Sequence, residues 1–213
     1  MLRSLARDPS GATIIEFAFA LPLLMTLGLF GLDVAYMASV NTQVSQMALS
    51  VADNASRLGQ ADNSAITPTV METDIDAVMY GAIQQGTGFD FENNGRIILT
   101  SFERNASGVQ YIHWQRCAGK LVRPSVYGND TTKNGINGGP IASLGQPGHT
   151  VTVPTAPAGQ AVMFVEVYYK YTPMMNSLYI KNGDVEFRQE AAVLVRDDRN
   201  LTGGLSGTKT SAC

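Results

Sequence analysis

Gly11-Ala12-Thr13-Ile14-Ile15-Glu16-Phe17 opens a run in which residues 17–32 carry no charged side chain. A helix needs about 20 apolar residues to cross the hydrocarbon core of a bilayer, so the run predicts a transmembrane segment over about residues 14–35. Glu16 is the anomaly in it. A carboxylate held in the bilayer is disfavoured by roughly 3 kcal/mol on the insertion scale and is expected where it gains a partner. Cleavage after Gly11 would free an amine on Ala12, about one helical turn from Glu16 and at the same depth. The sequence thereby supplies a cation for its own misplaced anion.

Beyond the apolar run the helical pattern continues. Val40, Val44, Met47, Val51, Ala55 and Leu58 recur at spacings of three and four, with Asn41, Gln43, Gln46, Ser50, Asp53 and Asn54 largely between them. This is the stripe of an amphipathic helix. Residues 12–58 therefore read as one helix with a membrane half and a domain-packing half, about 70 Å long at 1.5 Å per residue. Gly59 is a suitable stop, and Pro22 and Gly28 are candidate bends. Asp33, where the apolar run ends, reads as a solvated residue at the membrane surface. Tyr36 has the amphipathic character favoured at the headgroups.

The combination of Gly11-Ala12, Glu16-Phe17-Ala18 and Leu21-Pro22-Leu23-Leu24 resembles the processing site of the type IV pilin superfamily. There a short basic leader ends in Gly and Glu is the fifth mature residue. Over residues 10–58 the chain looks like the TadE-like family, the pseudopilins of tight-adherence (Flp-type) pilus systems. The resemblance implies a leader at residues 1–11, cut between Gly11 and Ala12 by a prepilin peptidase. It implies that Glu16 pairs with an N-terminal amine during assembly, with Phe17 and Pro22 as motif positions. It further implies a minor pilin acting in assembly, priming or adhesion at the tip. Its partners would be other pilins or pseudopilins, an inner-membrane assembly platform and the bilayer. The competing reading is an uncleaved, single-pass anchor on a periplasmic accessory or surface-binding protein. A removed secretory signal fits less well, because its small residues would follow the apolar stretch instead of preceding it.

Arg3 and Arg7 precede the apolar run, and positive residues favour the cytoplasmic side, so the bulk of the chain is expected in the periplasm. Assembly into a pilus would carry it outside the cell. After leader and membrane segment, the remaining length suits one domain, residues 59–213. A net charge of −3 and a pI near 5.3 leave no electrostatic footprint for nucleic acid. Charged residues make up 15% of the chain, low for a soluble surface and suited to a protein packed against partners or lipid.

Cys117 and Cys213 are the only cysteines and lack the Cys-x-x-Cys spacing of redox or zinc sites. An oxidising compartment predicts a disulfide, within the chain or, through the readily presented Cys213, to a second chain. Closed within the chain, a loop near a hundred residues contributes up to about 4.7 kcal/mol in the chain-entropy treatment.

The domain reads as α+β. After a linker at 60–68, Ile75, Val78, Met79 and Ile83 show helical spacing, with Thr73 or Asp74 as cap. Residues 96–103 and 109–116 form a predicted hairpin. Residues 161–171 and 185–196 form a second pair around a turn at Asn182-Gly183-Asp184. The expected architecture is a small, mainly antiparallel sheet laid on the second half of the long helix. The Gly-, Asn- and Pro-rich loop 119–160 is the candidate partner-facing surface, with an ordinary disordered excursion as the alternative.

No catalytic constellation emerges, and an enzyme is not expected. His113 and His149 lack ligand spacing, and His113 beside Trp114 reads as a strand surface residue. There is no Gly-x-Ser-x-Gly elbow and no phosphate-binding Gly-x-x-x-x-Gly-Lys. Glu72, Asp74 and Asp76 lack the Gly and distal Glu of an EF-hand loop and read as helix N-terminal charges. No metal and no cofactor is implied.

Overall fold

The structure, a computed structural model, describes residues 9–59, 69–104, 107–131, 156–173, 185–196, 199–201, 205–208 and 211–213, with side chains in the first helix from residue 13 onward. Helix α1 spans Pro9–Arg57 and α2 spans Glu72–Gln85. A 3-10 turn at Thr87–Phe89 and the single-turn helix α3 at Phe91–Asn94 follow. The strands are β1 (Gly95–Arg104), β2 (Gln110–Ala118), β3 (Val162–Tyr171) and β4 (Val185–Leu194). Helix α1 contributes to two compact units: its residues up to Ser39 lie in one, and from Val40 onward it belongs with the sheet.

The sheet has the order β2-β1-β3-β4, and every neighbouring pair is antiparallel. This is the expected α+β architecture, with the two predicted pairs joined through β1 and β3. Both central strands are buried almost throughout, which is why Ile97-Ile98-Leu99 and Val162-Met163-Phe164-Val165 read as continuous apolar runs. Side chains alternate between the two sheet faces, and each face is covered by something different.

The first face carries Ile97, Leu99, Met163, Val165 and Val167, all buried. Against it lies α1 from Val40 onward, burying Val40, Val44, Met47, Ala48, Val51, Ala52 and Ala55. Gln189 in β4 donates to Asn41 at 2.8 Å, and the Arg199 guanidinium donates to the carbonyls of Ala55 and Ser56 at 3.1 and 3.0 Å. The last carbonyls of a helix have no partner within it, so Arg199 satisfies groups the helix cannot. The chain then turns through Gly59 at φ +70°, a left-handed conformation that favours glycine after a helix.

The second face buries Phe102, Ile112, Val162 and Phe164 under Tyr127 and Ala156, and Ile98, Cys117 and Tyr168 under Leu121. The described ends of the loop at 119–160 are therefore built into the core through Leu121, Tyr127 and Ala156. Residues 132–155, with His149, lie outside the described residues, as do the linker 60–68 and the turn at 182–184.

Helix α2 begins differently from expectation. Met71 is the N-cap, and Asp74 accepts its backbone N–H at 3.3 Å. Thr73 and Asp74 sit inside the first turn, because Glu72 is drawn into the core at the helix start. Beyond α2, Phe89 packs edge-on against Phe91 and Tyr169, and the Tyr169 hydroxyl donates to the Phe89 carbonyl at 2.6 Å. Gly86 allows this packing, since a Cβ there would stand 2.3 Å from the Phe91 Cβ.

Candidate functional site

From Thr13 to Tyr36, α1 presents apolar side chains on every side. Ile14, Phe17, Phe19, Leu23, Leu24 and Leu32 are exposed, Phe19 to 78%. The helix is long and apolar enough to cross a membrane, and none of its most apolar window is buried within the fold. It runs through Pro22 without interruption. Proline removes one backbone donor, and just beyond it the Thr26 hydroxyl donates to the Pro22 carbonyl at 2.7 Å, so that polar side chain is satisfied inside the apolar stretch. Gly11 and Ala12 fall within α1, and Glu16 is exposed with no ion-pair partner among the described residues. Asp33 corrects the reading of a solvated residue: it is only 9% exposed and takes part in a polar interaction. A carboxylate at the end of an apolar run is disfavoured without a partner, and here it has one.

At the other end of the chain, Cys117 and Cys213 form a disulfide within the chain, with their Cα atoms 4.9 Å apart. The bridge brings the C-terminal segment alongside β2. The Cys117 N–H donates to the Ser211 carbonyl at 2.8 Å, and the Gln115 N–H donates to Asp130 at 3.3 Å. β2 is an edge strand, so its outward amides would otherwise offer a template for another chain. The cysteine spacing and compartment predicted the bond; they left open its pairing within one chain.

The charged residues buried in the domain were not singled out from the sequence. Arg116 in β2 meets Glu72 of α2 through both nitrogens of its fork, at 2.8 Å from Nε and closer still from the second, with both side chains almost wholly buried. Glu103 accepts from the Ser101 hydroxyl at 3.1 Å and lies 2.7 Å from the His113 Nδ1. That hydrogen bond raises the His113 pKa above 6.5, and burial opposes it. His113 is thus half-buried and paired, in contrast to the expected surface role. Glu166 is 0% exposed, accepts from the Tyr168 hydroxyl at 2.9 Å and lies 3.6 Å from Arg188. Desolvation pushes its carboxyl pKa up. Arg188 also pairs with Glu190 and stands over the rings of Tyr127 and Tyr168. A lone charge inside a β-rich apolar run, as at Glu166, is the same kind of signal that drew attention to Glu16.

None of these groups forms a nucleophilic relay. Ser101 and His113 converge on one Glu103 oxygen instead of on each other, and the recess beside them holds about 10 Å³, room for at most one water. No cluster suited to a metal ion occurs among the described residues.

The strongest functional signature is therefore α1 itself. The family model for TadE-like proteins matches residues 11–53, the stretch that contains the junction, Glu16 and the start of the domain-packing half. That match confirms the resemblance read from the motif and associates the chain with tight-adherence pilus proteins and a membrane. It ends inside α1, so the sheet, the buried ion pairs and the disulfide lie beyond it. No curated protein matches the chain, and no solved structure matches it.

Proposed function

We propose that this protein is a minor pilin of a tight-adherence pilus, with a role in assembly, priming or adhesion at the tip and no enzymatic activity. The observation that carries the reading is the TadE-like stretch at residues 11–53 on a helix that is apolar and exposed in its first half and buried against a domain in its second. In this reading a prepilin peptidase removes residues 1–11. The N-terminus starts in the cytoplasm, and the disulfide-bonded domain occupies the periplasm until assembly. Neighbouring pilins and the inner-membrane platform meet the exposed apolar half, which lipid surrounds beforehand. Assembly exchanges lipid contacts for helix–helix ones, so close packing and interhelical polar contacts supply the driving force.

Glu16 supplies direction. Its carboxylate has no ion-pair partner among the described residues, and an amine of Ala12 on its own or a neighbouring chain would compensate it. N-terminal mass analysis of the protein from membranes and from sheared filaments tests the processing step. A chain beginning at Ala12 in the filaments is expected; intact Met1 there would overturn it in favour of an uncleaved anchor. Glu16→Ala should still be cut but enter the pilus poorly. Glu16→Asp, whose carboxylate is drawn back by one methylene, should be intermediate. Normal incorporation of Glu16→Ala would remove the pairing role.

A further inference from the structure

The C-terminal segment joins α2 to the edge of the sheet. The Ser206 N–H donates to the Val70 carbonyl at 3.1 Å, and the Ser206 carbonyl accepts from the Glu72 N–H at 2.8 Å. Gly207 runs past the Glu72 stem, since a Cβ there would stand 3.7 Å from the Glu72 Cβ. Further along, the Ser211 carbonyl accepts from the Cys117 N–H at 2.8 Å, and Cys213 is bonded to Cys117. The segment thus lies over Glu72 and next to Arg116, the two members of the buried ion pair.

Its non-covalent hold is light. Ser206, Gly207, Thr208, Ala212 and Cys213 are exposed. The Ser211 hydroxyl is buried with no hydrogen-bond partner among the described residues, an unfavourable position for a polar group. The covalent bond therefore keeps residues 211–213 where their side chains would not. That bond is within reach of solvent. Cys117 is buried beside Ile98 and Tyr168, but Cys213 is exposed, and the bridge lines a concavity of about 570 Å³, roomy enough for a small dithiol.

We propose that residues 205–208 and 211–213 form a strap that a dithiol reductant releases from β2 while the rest of the domain stays folded. One thiolate of the reductant attacks the Cys213 Sγ, the Sγ–Sγ bond breaks, and Cys117 leaves as a thiolate that takes up a proton. The second thiol of the reductant then displaces Cys213 from the mixed disulfide. In sum the bridge gains two electrons and two protons, and the dithiol is oxidised to its own disulfide. The outward amide of Cys117 and the first-turn amide of Glu72 lose their partners, and the edge strand opens at that end. The Gln115 amide stays covered by Asp130. The strand ladders and the contact of Gln189 with Asn41 do not pass through the strap, so the sheet and α1 persist. The strap lies outside the TadE-like stretch, and the inference is independent of the pilus reading.

The test is amide hydrogen exchange of the full chain in detergent micelles, before and after treatment with dithiothreitol and without denaturant. Thiol labelling should show that the native bridge opens under these conditions. Labelling times are kept short enough that β1 and β3 remain protected in the oxidised form. Exchange should then quicken by about tenfold or more in peptides from the C-terminal segment, the end of β2 and the start of α2. Peptides from β1, β3 and α1 beyond Val40 should be unchanged. Cys213→Ser should show the released pattern with or without reductant. A bridge that resists reduction until the domain is denatured would overturn the proposal. So would a reduced chain whose strap stays protected, or one that loses protection equally in β3 and α1, whatever the variant does.

Discussion

The two halves of α1 are both rich in apolar residues, yet they meet opposite surroundings. In the half before Ser39, apolar side chains point in every direction and stay exposed; from Val40 onward they fall on one stripe and are buried, Val44 to 0% exposure. The distinction lies in arrangement. Polar residues such as Asn41, Gln43 and Asn54 break the second half into faces, and one face then finds the sheet. The first half has no polar face to turn toward water, a surface that suits lipid or another apolar helix.

Substitution by Asp should separate the halves most sharply. Met47→Asp would bury a carboxylate without a partner in the α1–sheet core, a change worth several kcal/mol that should leave no cooperative melting transition for the domain. Leu24→Asp, on the exposed half, should leave that transition unmoved and instead reduce recovery in the membrane fraction. Equal loss of melting from both would mean that the halves fold as one.

The next effect is expected from the buried pair beyond the helix. Arg116→Met strands the Glu72 carboxylate and should destabilise the domain by about 3–5 kcal/mol in chemical denaturation. Pairing it with Glu72→Met should recover most of the loss, because two apolar side chains need no compensation. A double variant as unstable as the single one would show that the pair does more than balance its own burial.

Cys213→Ser removes a cross-link between residues 96 positions apart and should lower stability by about 2–5 kcal/mol. Membrane recovery should be unchanged, since the bridge lies in the domain. Thiol labelling of the denatured, unreduced wild-type protein should find no free cysteine, and two labels per chain would contradict the bridge.

The smallest effect is a pH dependence. The His113 pKa is raised above 6.5 in the fold by its hydrogen bond to Glu103, so the contribution to stability is complete below pH 6.5 and is lost as pH rises through the folded-state value. Denaturation midpoints should therefore fall modestly above pH 6.5. A His113→Phe protein should lose that segment of the profile while leaving the behaviour of the membrane half unaltered.

Much of this was readable from sequence because it rests on local periodicity. Spacings of three and four placed α1 and α2, and β-branched and aromatic runs placed all four strands to within about two residues. The Gly11, Ala12 and Glu16 constellation carried the family likeness by the same kind of short-range evidence. In loop 119–160 the Gly and Pro content hides three anchors, Leu121, Tyr127 and Ala156, whose importance depends on a sheet face formed elsewhere.

The sequence by itself determined the elements, the membrane-competent half of α1 and the α+β class, since each follows from side chains a few positions apart. Only the tertiary structure decided which charges are buried together. Glu72 and Arg116 are 44 positions apart, Cys117 and Cys213 are 96, and Gln189 reaches back to Asn41 across 148. No local pattern encodes such meetings, because they arise when antiparallel strands bring remote residues to one face and burial makes each unpaired polar group too unfavourable to leave alone.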